Sequence, residues 1–321
     1  MRYVVCGADG QLAGRVAENA LVYAPAGSKF TFTVYKMERV PKEKKDRWEK
    51  AGVRVVEANY DDVEGMVRAF EGGNRIYIVS ALQIGETRVR QHKNAIDAAI
   101  RAGIEHITYS SFVGATDPAY ADVYVTPDHT KTEEYLKSVG IPYTACRNNL
   151  YMENWLTLWP MLARMSGNVF HSASGDGKAT FIHKDDAAAA AAACLLGKGK
   201  DYTAYNICGP EPVSVRDLCV LVNKESGLGL TYSADDEDAF FAWTSSLGIP
   251  KVIEGDFSKA PVPFCAMDGY TNELAVKTGL MNVPSHAVEE LTGRKAKSAA
   301  EVAPLYKAMW AADVDNWLKI K

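Results

Sequence analysis

The chain opens on a short apolar run, Tyr3-Val4-Val5-Cys6, followed at once by Gly7 and Gly10. Leu12, Val16, Ala17, Ala20 and Leu21 then recur at helical spacing. The run suits a strand buried on both faces, and the later spacing suits one face of a helix. A strand that turns on glycines into a helix aims backbone N–H groups and a helix N-terminus at one point. That layout cradles the pyrophosphate of a dinucleotide. Gly7, Gly10, Gln11 and Leu12 would form the cradle, because a Cβ on the glycines would hold a phosphate off the backbone. Ala13 stands where a third glycine would let helix and strand pack closely. Asp9 lies within the same turn, but a carboxylate repels phosphate, so its expected job is capping the helix. Any tight turn can use two glycines; the position of this one at the head of a strand series favours the cofactor.

Further strands are expected at Phe30–Tyr35, Val53–Val56, Arg75–Leu82, His106–Ser111, Tyr143–Arg147 and Tyr205–Cys208, with helical patterns between most of them. Asp61 or Asp62 should cap the helix carrying Val63, Met66, Val67 and Phe70. Repeated β-α units with short connections predict an α/β fold, a Rossmann-type doubly wound parallel sheet. A nucleotide-binding part over 1–150 and a smaller, mostly helical substrate lobe over 151–321 are expected, with elements around 180–210 returning to the sheet. Asp185 and Asp186 should cap the alanine run Ala187–Ala193, a tightly packed helix. Leu305, Met309, Val314, Trp317 and Leu318 mark one helical face, suited to core or to a homodimer contact.

With 321 residues and 47% hydrophobic content the chain can bury a large core. Its net charge of −4 and lack of a basic, aromatic-interleaved run argue against nucleic acid. Six cysteines without metal-ligand spacing read as buried thiols of a reducing compartment, and no metal site is expected. The first strand starts at residue 2 and no apolar stretch reaches membrane length, so a cytoplasmic protein with no membrane partner is expected.

At the end of the second strand an Asp or Glu would accept hydrogen bonds from an adenine ribose. Here Lys36 and Arg39 stand instead, which favours the 2′-phosphate of NADP(H) and leaves NAD(H) open; the plainer alternative is a solvated, charge-rich stretch. Asn59 and Tyr60 at the third strand's end, Ser80 and Ala81 after the fourth, Ser110 on the fifth and Asn148 after the sixth are further cofactor candidates. No Tyr-x-x-x-Lys pair of the short-chain dehydrogenase kind occurs between Phe112 and Leu136. What stands there is Pro127-Asp128-His129-Thr130-Lys131-Thr132-Glu133. A histidine near a helix start is kept neutral by the dipole and can donate a hydrogen bond or relay a proton. Lys131 would point to a different face. Phe112, Tyr151, Trp155 and His171 could line an acceptor pocket, with core packing as the competing role of each aromatic.

GADGQLAG, HITYSS, His129 with Thr132-Glu133, GIPYTACRNNLYMENW, FIHKDDAAAA and ELTGRKAKSAAEV together resemble the NmrA-like atypical short-chain dehydrogenases, nearest to their quinone oxidoreductase and triphenylmethane reductase branch. The resemblance spans about residues 1–302, with an insertion-rich stretch near 235–270 and a tail to Lys321. It implies NADPH and hydride transfer to a quinone or other electron-poor aromatic small molecule, with no tyrosine–lysine pair. It places the branch's histidine on His129, and Arg147, Asn148 and Tyr151 beside the nicotinamide. Related benzylic ether reductases use a lysine near this position, which keeps Lys131 as an alternative donor for benzylic ether or azo reduction. Non-catalytic NADP(H) sensing is the rival outside enzymes. The chain departs from the pattern at Asp9, where threonine is usual, and at Ala13.

Overall fold

The computed structural model describes residues 1–254, 260–312 and 314–320. Part of the 235–270 stretch and the last residue of the tail, Lys321, therefore lie outside the described residues. Strand β1 (Arg2–Val5) leads into α1 (Gln11–Tyr23), then β2 (Lys29–Val34), α2 (Lys42–Lys50), β3 (Arg54–Glu57) and α3 (Val63–Phe70). The alternation continues with β4 (Arg75–Ile78), α4 (Glu86–Arg101), β5 (His106–Phe112), α5 (Thr126–Val139) and β6 (Tyr143–Asn148). Strand β4 ends at Ile78, four residues earlier than the apolar pattern suggests, and Val79 to Gly85 form a loop at the sheet's edge.

After β6 the chain leaves the sheet through a π-turn over Asn154–Leu158, α6 (Trp159–Met165), β7 (Val169–Ser172) and β8 (Lys178–Ala179). It returns with α7 (Lys184–Leu195) and β9 (Thr203–Ile207). It then departs again through β10 (Val213–Ser214), α8 (Val215–Ser226), β11 (Thr231–Ala234), α9 (Glu237–Ser246), α10 (Ala266–Lys277) and α11 (Ala287–Thr292). The main sheet is parallel throughout, in the order β3-β2-β1-β4-β5-β6-β9. Its order reverses between β1 and β4, which opens a crevice at the C-terminal ends of those strands.

One face of the sheet packs α1 and α7 in a core with Phe32, Trp48 and Tyr77; the other packs α3, α4 and α5 around Phe70, Ile96 and Tyr109. Helix α7 is buried on nearly every side, because its alanines let α1 and the strands approach its backbone. His183 is its N-cap, and neither Asp185 nor Asp186 caps it. Asp186 instead holds the segment after α11: Arg294 pairs with it, and Lys297 N–H donates to it at 2.7 Å. Asp62 caps α3, accepting from Gly65 N–H at 2.9 Å. A third core, with Trp155, Trp159, Phe170, Phe181 and Trp243, fills the C-terminal region.

The last segment is not the single helix its spacing suggests. It breaks into Ala299–Val302, a 3-10 turn, Lys307–Ala311 and a second 3-10 turn, and leaves Leu305 and Leu318 exposed. Pro304 accounts for the first break, since it can supply no helical N–H. All six cysteines are buried free thiols. Among the described residues no helix is long and apolar enough to cross a membrane, and no group of ligands could hold a metal ion.

Candidate functional site

The opening turn works because Gly7 adopts φ +69°, and a Cβ there would stand 2.9 Å from Val79 Cγ1. Gly10 N–H closes the turn on Gly7 O at 2.8 Å. Gly10 is also the N-cap of α1, and no side chain caps that helix. Its first N–H groups therefore face the crevice side of the turn without a built-in acceptor. Gly14, rather than Ala13, makes the close approach: a Cβ on it would lie 3.0 Å from Ala8 O and 2.7 Å from Lys44 Nζ. Lys44 itself donates to Ala8 O at 3.2 Å and lies over the Trp48 ring. At the other side of the helix start, Lys184 Nζ donates to Gln11 Oε1 at 2.8 Å and sits 5.4 Å from the Tyr151 ring centre. Burial lowers the pKa of both lysines.

Asp9 does not cap α1. Its carboxylate reaches to the end of β2, where Oδ1 accepts from Tyr35 N–H at 3.1 Å and Oδ2 lies 3.5 Å from Arg39 Nε. Lys36 Nζ lies 3.9 Å from Glu57, which accepts from Met37 N–H. Asn59 accepts from Asp61 N–H in its own turn, and Tyr60 donates to Val79 O at 2.9 Å. Asn59 thus braces its own turn, and Tyr60 ties that turn to the segment after β4.

A buried polar chain crosses the α4–β5–α5 interface. Ala81 N–H donates to His92 Nε2 at 2.9 Å. Burial, with help from Arg88, pushes His92 down to about 3, so the ring is neutral and carries its proton on Nδ1. That Nδ1 lies 2.9 Å from Thr132 Oγ1 and 3.2 Å from Tyr109 OH, and it donates to them. Thr132 spends its own proton on Asp128 O at 2.7 Å. The Tyr109 hydroxyl is left to donate to His129 Nδ1, 2.8 Å away. Desolvation, then the charge on Arg88, lowers the His129 pKa well below the usual histidine value. His129 is thus neutral with its proton on Nε2, a nitrogen that no described residue engages. The Phe112 ring stacks on it at 5.9 Å between centroids. Asp128, in the same turn of α5, accepts from Gly85 N–H at 2.8 Å and lies 3.5 Å from Arg88, which donates to Ala81 O. The loop carrying Ser80 and Ala81 is stapled to the histidine helix by these bonds.

On the opposite face of the sheet, Asn148 Nδ2 donates to Tyr151 OH at 3.0 Å and to Ser110 Oγ at 3.3 Å, while Asn148 Oδ1 is buried with no partner. Arg147 is taken up by Glu133, which also accepts from Ser111. Lys131 pairs with Glu86 on the outside of α5 and does not join His129. Trp155 is in the third core, donating to Glu273 at 2.7 Å. His171 sits on β7, 2.8 Å from Asp235 and stacked on Trp243. Neither Trp155 nor His171 is brought to His129 by any contact described.

Sequence patterning had singled out His129 but neither Tyr109 nor His92. Tyr109 lies mid-strand and His92 mid-helix, where spacing marks both as core. Lys44 and Lys184 are likewise hidden, one in a charged run and one at the head of the alanine helix.

Comparison with known proteins agrees with this architecture. The model of the NmrA-like family matches residues 2–283. Quinone oxidoreductase 2 of Escherichia coli is 32% identical over 247 residues, 77% of this chain and 82% of that protein. The crystal structure of an NADPH-dependent quinone oxidoreductase from Escherichia coli in complex with NADPH superposes with a TM-score of 0.80, at 27% identity, over 94% of this chain and 98% of that one. Citrobacter sp. triphenylmethane reductase complexed with NADP(H) shares the fold, with a TM-score of 0.78 at 22% identity over 96% and 100% of the two chains. A parallel sheet with a glycine turn at its head, matched by the family model over most of its length and 32% identical to one relative across three quarters of the chain, makes this chain a member of the NmrA-like family.

Proposed function

We propose that the chain is an NADPH-dependent reductase acting on a quinone or another electron-poor aromatic small molecule. The observation that carries this reading is His129: a neutral imidazole in the first turn of α5, held in one tautomer by Tyr109 of β5, with Nε2–H unengaged by any described residue. The uncapped start of α1 and the unpartnered Asn148 Oδ1 fit a bound dinucleotide, since each is a polar group that the fold itself leaves unanswered. The 32% identical quinone oxidoreductase and the NADPH held by the related structure support the choice of cofactor and acceptor class.

A reduced nicotinamide, when bound, supplies the hydride. The N–H groups at the start of α1 would hold the phosphates, and Asn148 and Ser110 would orient the far end. Phe112, stacked on His129, gives a flat apolar wall against which an aromatic acceptor can lie. His129 Nε2–H donates to the acceptor oxygen as negative charge develops there, which lowers the barrier without an ionised group. Placement at contact distance supplies much of the remaining rate.

The test is NADPH oxidation against a panel of quinones, with NADPH binding measured alongside. His129→Ala should lose about 100-fold in kcat while its NADPH Kd stays unchanged. Turnover that survives in His129→Ala and falls in Lys131→Ala would overturn the assignment. NADPH binding with no oxidation by any acceptor would overturn the reductase reading itself.

A further inference from the structure

We propose that Asp9 reads the 2′ position of the adenine ribose and opens this site to NADH alongside NADPH. The inference rests on the dinucleotide reading above. Tyr35 N–H fixes Asp9 Oδ1 at 3.1 Å, so the carboxylate is pinned at the C-terminal end of β2, where the adenine ribose of a dinucleotide lies in this fold. The other oxygen, Oδ2, is buried and has no hydrogen-bond partner, and the side chain is only 4% exposed. Arg39 Nε approaches it at 3.5 Å without bonding to it. A buried carboxylate oxygen with a distant ion pair but no hydrogen bond is costly, and a ribose hydroxyl is the donor that would answer it once Arg39 swings aside. A 2′-phosphate has no such proton and would bring like charge against Asp9.

The cations expected to attract that phosphate are already engaged. Arg39 faces Asp9, Lys36 faces Glu57, and Lys44 is turned onto Ala8 O and the Trp48 ring. Arg39 and Lys36 remain half-exposed and free to swing toward a phosphate, so NADPH is accommodated. The preference for it is shallow, because Arg39 and Lys36 each leave a carboxylate behind when recruited.

The experiment measures calorimetric binding of ADP-ribose and of 2′-phospho-ADP-ribose, which carry the adenine end without the reacting ring. Wild-type protein should bind the two within about tenfold of each other. Asp9→Asn keeps an acceptor for Tyr35 N–H and removes the charge. It should shift the ratio of the two Kd values about tenfold toward the 2′-phosphate. Arg39→Ala, at an exposed side chain that folding does not need, should shift the ratio the opposite way. A ratio that moves less than about twofold in Asp9→Asn would overturn the role of Asp9, with the dinucleotide reading intact. Wild-type binding of the 2′-phosphate form alone would also overturn it. Binding of neither ligand would overturn both readings.

Discussion

In Tyr109→Phe the ring stays packed in the sheet, but His129 Nδ1 loses the donor that fixes its tautomer. The expected result is a fall of about tenfold in kcat with NADPH affinity unchanged, a split that a packing defect would not produce. The same bonds set a pH expectation. His92 is held at about 3 and His129 below its ordinary range, so neither changes charge between about pH 6 and 8. Wild-type kcat should be flat across that window, and a histidine-like limb within it would contradict the tautomer assigned to His129. At this scale the residue types of the cradle and the helix-start histidine were legible in the sequence. The partners that decide the histidine's proton were not, because a strand tyrosine and a helix histidine look like core until a fold brings them within 3 Å or so. Asp9 is the converse case. Its type and position were plain, but its direction depends on where β2 ends.

Among the elements, α7 depends on a tie that its own composition hides. Asp186 is fully buried in its first turn, and its charge is answered by Arg294 and by Lys297 N–H from the segment after α11. Arg294→Ala should cost about 2 kcal/mol in urea unfolding, since it strands a buried carboxylate with one remaining donor. Unaltered stability would mean that water replaces the guanidinium. The LTGR string that helped to signal the family is thus a structural clasp in this fold, with no contact to the crevice described. The succession of strands and helices along the chain followed from apolar runs and glycine punctuation. Ends were less legible. Strand β4 stops at Ile78 although Val79 to Leu82 read as apolar, because His92 and Arg88 claim the backbone of Ala81 for a loop. The terminal apolar spacing looked helical, but the extended backbone at Ala312 cuts the pattern between Met309 and Val314.

For the molecule as a whole, the third core contains a carboxyl group that ties its stability to pH. Glu273 is fully buried, and burial pushes it up to about 7 although Ser172, Trp155 and Ser174 bond to it. An unfolded glutamate titrates near ~4.3, so between that pH and about 7 the native chain holds a proton that the unfolded chain has lost. Stability contributed by this group is therefore present in acid and falls as pH rises toward 7. Glu273→Gln should remove that slope, so that wild type loses about 2 kcal/mol more than the variant between about pH 5 and 7. Parallel urea-stability curves for the two proteins would refute this. None of it could be read from the sequence, where Glu273 is one polar position in an ordinary helix. The route of the backbone carries a different lesson. The chain leaves the sheet after β6, returns to lay down α7 and β9, and leaves again. The elements beyond the C-terminal edge are thus two separate excursions between fixed anchor points. Length can be added to or taken from either excursion without shifting the register of a single strand. Descendants of such a chain can remodel what lies beyond that edge repeatedly while inheriting the sheet and its glycine turn intact.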